Sequence, residues 1–397
     1  MDPVSPLFAV VCLVLAIATA YFLFKRYGKP LVHERYASLD GLRGYLAFFV
    51  FLHHSSVWYG YLRSDQWKVP PSSLYAHFGQ SSVAFFFMIT GFLFFSKLID
   101  GRAREIDWGR LFVSRFLRLV PLYLFVMLVM FSLVVVVSRG VLNESLDELA
   151  KNGLRWLAFT ILGAPDLNGV PHTSSIVAGV TWSLPYEWFF YFSLPLLALS
   201  IGVRAPLPYV LLSILATVGL ILWGPGINNL LFFAGGMTAS VAVRSDSIRR
   251  FAESRLASVL CLGILVATVA TFPSARGVIP LVTLSAVFVL IACGNTLFGV
   301  LTHPASRTLG EMAYSIYLLH GILLFAVFRL FIGTAEAASY SPIEHWAVAA
   351  CITPVLILTS FATFKLIENP AMQQTRAVSQ WVRMRGAALS RRGVLQR

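Results

Sequence analysis

The chain has few charged residues, and this scarcity excludes most soluble folds. Among 397 residues, 31 are Lys or Arg and 18 are Asp or Glu, so 12% are charged, against about 25% in ordinary soluble domains. Hydrophobic residues make up 57% of the chain. A soluble protein of this length could not cover its surface with so few charges. We therefore predict a polytopic membrane protein.

The excess of basic over acidic residues does not indicate a nucleic-acid-binding protein. The formal net charge is +13, but the basic residues occur in short groups between apolar runs. Such groups are typical of a chain that is oriented in a bilayer by its inner, basic loops.

Cysteine is also scarce, and its four positions lack the spacing of a metal site. All lie inside apolar stretches: Cys12, Cys261, Cys293 and Cys351. We expect them to be small buried apolar side chains. Neither a disulfide framework nor a metal site is predicted.

The sequence contains eleven apolar runs that are long enough to cross about 30 Å of hydrocarbon. They fall near residues 6–24, 42–60, 80–97, 117–138, 185–203, 206–223, 227–243, 256–272, 278–300, 311–332 and 345–366. Basic residues follow the first run, starting at Lys25, and none precedes it. We therefore predict a retained span there and not a cleaved signal peptide.

The distribution of Lys and Arg predicts the orientation. With the C-terminus in the cytoplasm, 24 of the 31 basic residues fall on the inner side and 7 on the outer side, as expected of a multi-pass protein of the cell (inner) membrane. An odd number of spans then puts the N-terminus outside. The longest outer segment is 139–184; its apolar piece at 154–162 is too short to span, so we expect a re-entrant or interfacial segment.

Arg43 and His54 are eleven positions apart within the second apolar run. On a helix this spacing is three turns plus roughly 20°, with a rise of roughly 16 Å, so both side chains share one face at different depths. His53 points about 80° away. Arg43 would suit phosphates at the cytoplasmic boundary, and His54 would suit proton transfer deeper in the membrane. The alternative is a snorkelling Arg and a His that is satisfied by a neighbouring helix.

Arg115 and Arg118 are three positions apart, so they share a helical face and could bind one anion together. Two arginines at the inner end of a span also follow from orientation alone.

The segment Thr181-Trp-Ser-Leu-Pro-Tyr-Glu-Trp begins the next predicted span on the outer side. Ser183 resembles a helix start, and Glu187 in the first turn could be a capping residue stabilised by the helix dipole. Alternatively, Glu187 orients a base or a hydroxyl-bearing acceptor, and Trp182 beside it stacks on a sugar. Trp182 could equally be an interfacial aromatic residue.

His320 lies near the middle of the tenth predicted span, at the depth expected of His54, and Tyr317 precedes it on the same face. A hydrogen-bonded packing histidine is the alternative reading. Thr90 and Gly91 are expected to permit close helix packing.

The ordered set of motifs resembles the acyltransferase 3 family of membrane acyltransferases. In chain order these are LDGLRG with His54 eleven residues after Arg43, FFFMITGF, RFLRLVPLY, TWSLPYEWFFY, YSIYLLH and IENP. The resemblance implies an all-α, polytopic bundle of about eleven transmembrane helices, in which a ten-helix acyltransferase domain follows one extra N-terminal helix. We accordingly divide the chain into an N-terminal helix with a basic linker (1–37), the acyltransferase domain (38–370) and a basic cytoplasmic tail (371–397).

The resemblance also implies an activity: O-acyl transfer, commonly acetyl from cytoplasmic acetyl-coenzyme A, to a hydroxyl of a carbohydrate or glycoconjugate. It assigns Arg43, Arg115 and Arg118 to the phosphates of the donor, and His54 and Glu187 to catalysis. We add His320 and Tyr317 as candidates to hydrogen-bond the developing oxyanion, and Trp182, Ser183 and Tyr317 as acceptor-binding residues. Acyl-coenzyme A is expected as a donor substrate, with no permanently bound cofactor. Expected partners are that donor, the acceptor and membrane lipids.

Three features depart from the family pattern: the extra N-terminal span, His53 beside the motif histidine, and the lack of a hydrolase-like domain after the last span. We therefore expect transfer without an attached soluble transferase.

A proton-coupled transporter or flippase of a sugar or lipid-linked substrate is the alternative function, because intramembrane Arg, His and Glu also occur in such proteins. The acceptor, the acyl group, the choice between direct transfer and an acyl-enzyme, and the oligomeric state stay open.

Overall fold

The protein is described here by a computed structural model that covers residues 2–28 and 36–394, with side chains through Arg385. Part of the predicted basic linker (29–35) and the end of the predicted tail (395–397) lie outside the described residues. Within these ranges there are helices and no β-strand, which confirms the all-α prediction. The α-helices in chain order are α1 Pro6–Tyr27, α2 Ala37–Ser64, α3 Ser73–Asp100, α4 Trp108–Val137, α5 Leu146–Leu157, α6 Ser183–Ser200, α7 Leu207–Trp223, α8 Ile227–Ala242, α9 Asp246–Ala252, α10 Arg255–Thr271, α11 Val278–Ala292, α12 Pro304–Glu311, α13 Ala313–Phe325, α14 Thr334–Ser339, α15 Pro342–Thr363, α16 Asn369–Gln373 and α17 Thr375–Val394.

Each of the eleven predicted spans coincides with a helix, but fewer helices qualify as spans by length and composition. Five do so in the described ranges, and a sixth is added if α9 and α10, which are bent by 75°, form one span. The shorter helices α7, α8 and α11 are apolar, with 17, 16 and 15 residues. α2 is long enough but includes Arg43 and two histidines. The count of eleven and the orientation stay predictions.

Glycines let α2 and α3 approach their neighbours closely. A Cβ on Gly44 of α2 would lie 2.5 Å from Cβ of Leu309 in α12, and one on Gly310 would lie 1.8 Å from the carbonyl oxygen of Asp40. A Cβ on Gly91 of α3 would lie 2.3 Å from the carbonyl oxygen of Phe233 in α8. Small residues at such crossings allow backbones to pack tightly in a membrane, as predicted for Gly91.

The extra N-terminal helix packs into the same bundle. Trp346 of α15 donates its indole N–H to the carbonyl of Pro3 at 2.8 Å, and its ring stacks on Phe8 with centroids 5.4 Å apart. The hydroxyl of Tyr75 in α3 donates to the carbonyl of Ser5 at 2.9 Å. Residues on both sides of the predicted boundary near residue 37 therefore pack in one helical bundle.

The segment between α4 and α6 enters the bundle at a place that the sequence did not indicate. The apolar piece at 154–162 is the end of the amphipathic helix α5 and the turn after it. The segment that reaches the interior is 173–182, as two short 3₁₀ helices, Thr173–Val177 and Val180–Trp182, most of whose residues are buried. Its closest approach is to α13, where a Cβ on Gly321 would lie 2.4 Å from the carbonyl carbon of Val177. α6 therefore begins inside the bundle.

Three of the four cysteines are buried as predicted: Cys12, Cys261 and Cys293. Cys351 departs from the prediction, because it lies exposed on the outer surface of α15. All four are free.

Candidate active site

A cavity of about 790 Å³ opens between α2, α3, α4, α6 and α13. Six predicted site residues line it: Arg43, Arg115, Arg118, Ser183, Glu187 and Tyr317. His54, His320 and Trp182 do not line it. The structure thus joins the predicted donor-binding arginines with Glu187, and it places the two histidines outside the cavity.

Three arginines converge on the cavity from two helices. Arg43 of α2 interacts electrostatically with Arg115 and Arg118 of α4. Its Nη1 lies 2.7 Å from Oδ1 of Asp40, one turn earlier on the same helix. The three positive charges repel one another unless negative charges offset them. The cavity can therefore accept a polyanion at this end.

Arg118 contacts the segment that follows α15. Its Nη1 lies 3.9 Å from Oε2 of Glu368, whose side chain is fully buried, and 3.1 Å from the sulfur of Met372. Glu368 accepts a hydrogen bond from Ser315 of α13. The backbone at Phe364–Glu368 is π-helical, and such turns often occur at functional sites.

Glu187 belongs to the arginine cluster and not to the histidines. Its carboxylate accepts a hydrogen bond from Tyr191, one turn later on α6, and it interacts electrostatically with Arg115, Arg118 and Arg43. Because α6 begins inside the bundle, its first turn reaches this depth. No hydrogen bond joins Glu187 to His54 in the described part of the chain. The position of Glu187 on the outer side of the membrane stays a prediction.

Ser183 and Tyr317 form one hydrogen-bonded unit at the cavity wall. Their hydroxyls are 2.8 Å apart, and each is also within hydrogen-bonding distance of the carbonyl of Val180, at 3.2 Å for Ser183 and 3.0 Å for Tyr317. Ser183 is the first residue of α6, as predicted, but its hydroxyl engages α13 and makes no capping hydrogen bond. The buried segment 173–182 supplies the carbonyl that fixes this pair.

His54 and His320 are in direct contact. Nε2 of His320 lies 3.0 Å from Nδ1 of His54, although 266 residues separate them. Nδ1 of His320 lies 3.1 Å from the carbonyl oxygen of Ile316. A carbonyl only accepts, so in the neutral ring this Nδ1 carries the proton and Nε2 accepts. His54 then donates from Nδ1, which is also 3.0 Å from the carbonyl of Val50.

The consequence is that Nε2 of His54 carries a lone pair. No hydrogen bond in the described part of the chain engages this nitrogen, and His54 is partly exposed, whereas His320 is fully buried. Such an imidazole can accept a proton from a hydroxyl group. Tyr317 lies between this pair and the cavity, with its ring centroid 6.3 Å from that of His320.

His53 meets the ring of His54 edge-on, with centroids 4.8 Å apart, but it makes no hydrogen bond to the pair within the described residues. Trp182 lies apart from this centre. His53 faces α3, where its Nδ1 is 2.7 Å from the carbonyl of Tyr75, in agreement with the predicted 80° offset. Trp182 is 42% exposed and packs edge-on against Phe87 and Tyr186.

A family model described as an acyltransferase domain, that of acyltransferase 3, matches residues 36–365. The chain belongs to the acyltransferase 3 family. It is accordingly a membrane acyltransferase. No curated protein and no solved structure matches it.

Several residues of this acyltransferase site were not predicted. Asp40 stands in the LDGLRG motif and Glu368 in IENP, yet neither was assigned a role. Tyr191 is four residues after Glu187, a spacing that could have revealed the contact. Nothing in the local sequence pairs His320 with His54.

Proposed function

We propose that the protein transfers an acyl group, specifically acetyl, from cytoplasmic acyl-coenzyme A to a hydroxyl of a carbohydrate or glycoconjugate at the outer side of the membrane. The observation that carries this proposal is the contact between His320 and His54, which leaves an unprotonated Nε2 on His54. Acyl transfer to an alcohol needs such a base, because a hydroxyl is a weak nucleophile near neutral pH.

The donor half of the site is the arginine cluster. The phosphates of acyl-coenzyme A bind Arg43, Arg115 and Arg118, whose guanidinium groups suit phosphate oxygens. The rise from Arg43 to His54 on α2, roughly 16 Å, is comparable to the length of an extended pantetheine arm. The thioester then lies near Tyr317, at the boundary between the cavity and the histidine pair.

In the chemical step, Nε2 of His54 takes the proton of the acceptor hydroxyl while its oxygen attacks the thioester carbonyl carbon. The tetrahedral intermediate collapses as the carbon–sulfur bond breaks, and the coenzyme A thiolate takes the proton back from His54. His320 and the carbonyl of Val50 both accept from Nδ1 of His54, which keeps the ring in the tautomer that this step requires. On the cavity side, one hydroxyl of the Ser183–Tyr317 pair can turn its proton from the carbonyl of Val180 to the oxyanion.

Glu187 acts on the donor side in this proposal. Its carboxylate and Tyr191 keep the three arginines in place, and it offsets part of their repulsion before the donor binds.

The test is transfer of label from [1-¹⁴C]acetyl-coenzyme A to membrane carbohydrate by purified protein in vesicles. Label that enters the carbohydrate fraction, with one coenzyme A released per acetyl group, supports the proposal. Proton-driven movement of a sugar or lipid-linked substrate without acylation would contradict it and favour a transporter.

A further inference from the structure

An aromatic cluster covers His54 on the side away from the donor cavity. It consists of Trp58, Tyr61, Trp67 and His172. The ring of Trp67 lies 6.1 Å from that of His54 at an interplanar angle of 23°. Trp58 and Tyr61 meet Trp67 edge-on, at 5.8 and 5.3 Å, and His172 meets Tyr61 at 6.1 Å.

We propose that Trp67 is an acceptor-binding residue on which a sugar ring of the acceptor stacks beside His54. This inference rests on the proposed function and assigns the acceptor half of the site. Trp67 is not among the residues that line the donor cavity, so donor and acceptor approach the histidine pair from different sides.

Trp67 packs against the hydrophobic core but, unlike Trp58, it is not fully buried. Trp58 is fully buried and holds the cluster in the core. Trp67 is partly exposed, lies in the irregular segment 65–72 between α2 and α3, and has no hydrogen bond on its indole N–H within the described residues. An aromatic face with a free polar edge can bind a ring that carries both C–H faces and hydroxyls.

Charged groups beside the cluster favour a hydroxyl-rich ligand over a lipid tail. Arg329 is carried by the π-helical turn Ala326–Phe331, and its guanidinium lies beside the hydroxyl of Tyr61. Asp65, at the end of α2, also interacts with Tyr61. A cation, a carboxylate and aromatic faces in one place offer donors and acceptors for several hydroxyls.

The ligand needs more room than the structure shows between the two rings. A sugar ring does not fit between His54 and Trp67 at 6.1 Å. Because Trp67 belongs to an irregular segment, its ring can move outward without breaking a helix. The acceptor hydroxyl would then reach Nε2 of His54.

The experiment measures coenzyme A release from saturating acetyl-coenzyme A while a membrane carbohydrate extract is varied. The variants are Trp67→Ala, Trp67→Phe and Trp182→Ala, in vesicles. Trp223→Ala is the matched control, because Trp223 is a partly exposed tryptophan at the end of α7 that packs on Tyr186 and Phe189, away from His54. Coenzyme A binding to each variant checks that it is folded.

We expect Trp67→Ala to raise the extract concentration at half-maximal rate about tenfold, and Trp67→Phe about threefold. Donor binding and the Trp223→Ala rate curve should not change. Wild-type-like dependence on extract in both Trp67 variants would overturn this inference alone. If the extract concentration at half-maximal rate rises in Trp182→Ala but not in Trp67→Ala, the inference is overturned too, and the acceptor binds at the start of α6. No acceptor-dependent release by the wild type would overturn the proposed function and this inference with it.

Discussion

Nε2 of His320 lies 3.0 Å from Nδ1 of His54, and the carbonyl of Ile316 sets the tautomer of His320. The relationship makes His320 a positioning residue, because its own ring is fully buried and its Nε2 is already engaged. It does not support the earlier expectation that His320 itself binds the oxyanion.

Replacement of His320 should lower turnover without weakening donor binding. In His320→Ala, the carbonyl of Val50 still accepts from Nδ1 of His54, but the ring loses the second partner that fixes its orientation. We therefore expect kcat to fall by roughly 10²-fold, at the lower end of the usual contribution of general acid–base catalysis. The KM for acetyl-coenzyme A should stay within about twofold of wild type. Steady-state kinetics in vesicles checks both values.

His320→Gln provides the matched comparison. Its side-chain carbonyl can accept the proton of His54 Nδ1, so we expect it to recover part of the lost kcat. If kcat falls equally in His320→Ala and His320→Gln, and both proteins are less stable than wild type, His320 contributes to packing alone.

Loss of an arginine from the cavity should weaken donor binding. We expect Arg115→Ala and Arg118→Ala each to raise the dissociation constant of coenzyme A by about 10- to 100-fold, in line with about 1.5–3 kcal/mol for a hydrogen bond to a charged group. Titration calorimetry in detergent measures the change.

Arg104→Ala is the control for this series. Arg104 is exposed in the segment between α3 and α4 and has the same charge, so its loss should leave coenzyme A affinity unchanged. An equal loss of affinity in all three variants would mean that net charge, and not the cluster, attracts the donor.

Variants of Glu187 and Tyr191 distinguish a role of Glu187 in donor binding from a role in orienting the base. Since its carboxylate accepts a hydrogen bond from Tyr191 and interacts electrostatically with the arginines that it helps to position, we expect Glu187→Gln to raise the KM for acetyl-coenzyme A several-fold with little change in kcat. Tyr191→Phe should act in the same direction. A fall in kcat with an unchanged donor KM would contradict this placement and restore the role of Glu187 in orienting the base.

The crossing of α2 and α12 should be sensitive to a single methyl group. In Gly44→Ala the new Cβ would lie 2.5 Å from Cβ of Leu309 and 2.7 Å from the backbone nitrogen of Gly310. Overpacking of this kind costs about 1–3 kcal/mol. We expect a lower midpoint of unfolding in detergent, together with weaker coenzyme A binding, because Arg43 is the neighbouring residue.

Gly60→Ala on the same helix is the control. A Cβ at Gly60 would meet nothing within 4 Å, so Ala should be neutral or stabilise the helix by about 0.5–1 kcal/mol. Equal destabilisation by both substitutions would mean that backbone conformation, and not helix contact, explains the effect at Gly44.

The helical fold and the arginine cluster could be predicted from local patterns. Apolar runs mark the helices, and Arg43, Arg115 and Arg118 stand at the ends of two of them. Motif resemblance pointed to the family that the comparison then showed.

The contacts that assign roles could not be predicted in this way. His320 meets His54 only because α13 packs against α2, and no periodicity encodes that crossing. Glu187 reaches the arginines because the irregular segment 173–182 enters the bundle, and such segments carry no helical pattern.

The central claim is that His54 is the base of an acyl transfer whose donor is bound by the arginine cluster. The most direct measurement compares acceptor-dependent coenzyme A release and coenzyme A binding in wild type, His54→Ala and Arg43→Ala. We predict that His54→Ala loses release by at least about 10²-fold and still binds coenzyme A, whereas Arg43→Ala binds it more weakly. Release by a folded His54→Ala protein at the wild-type rate would contradict the account.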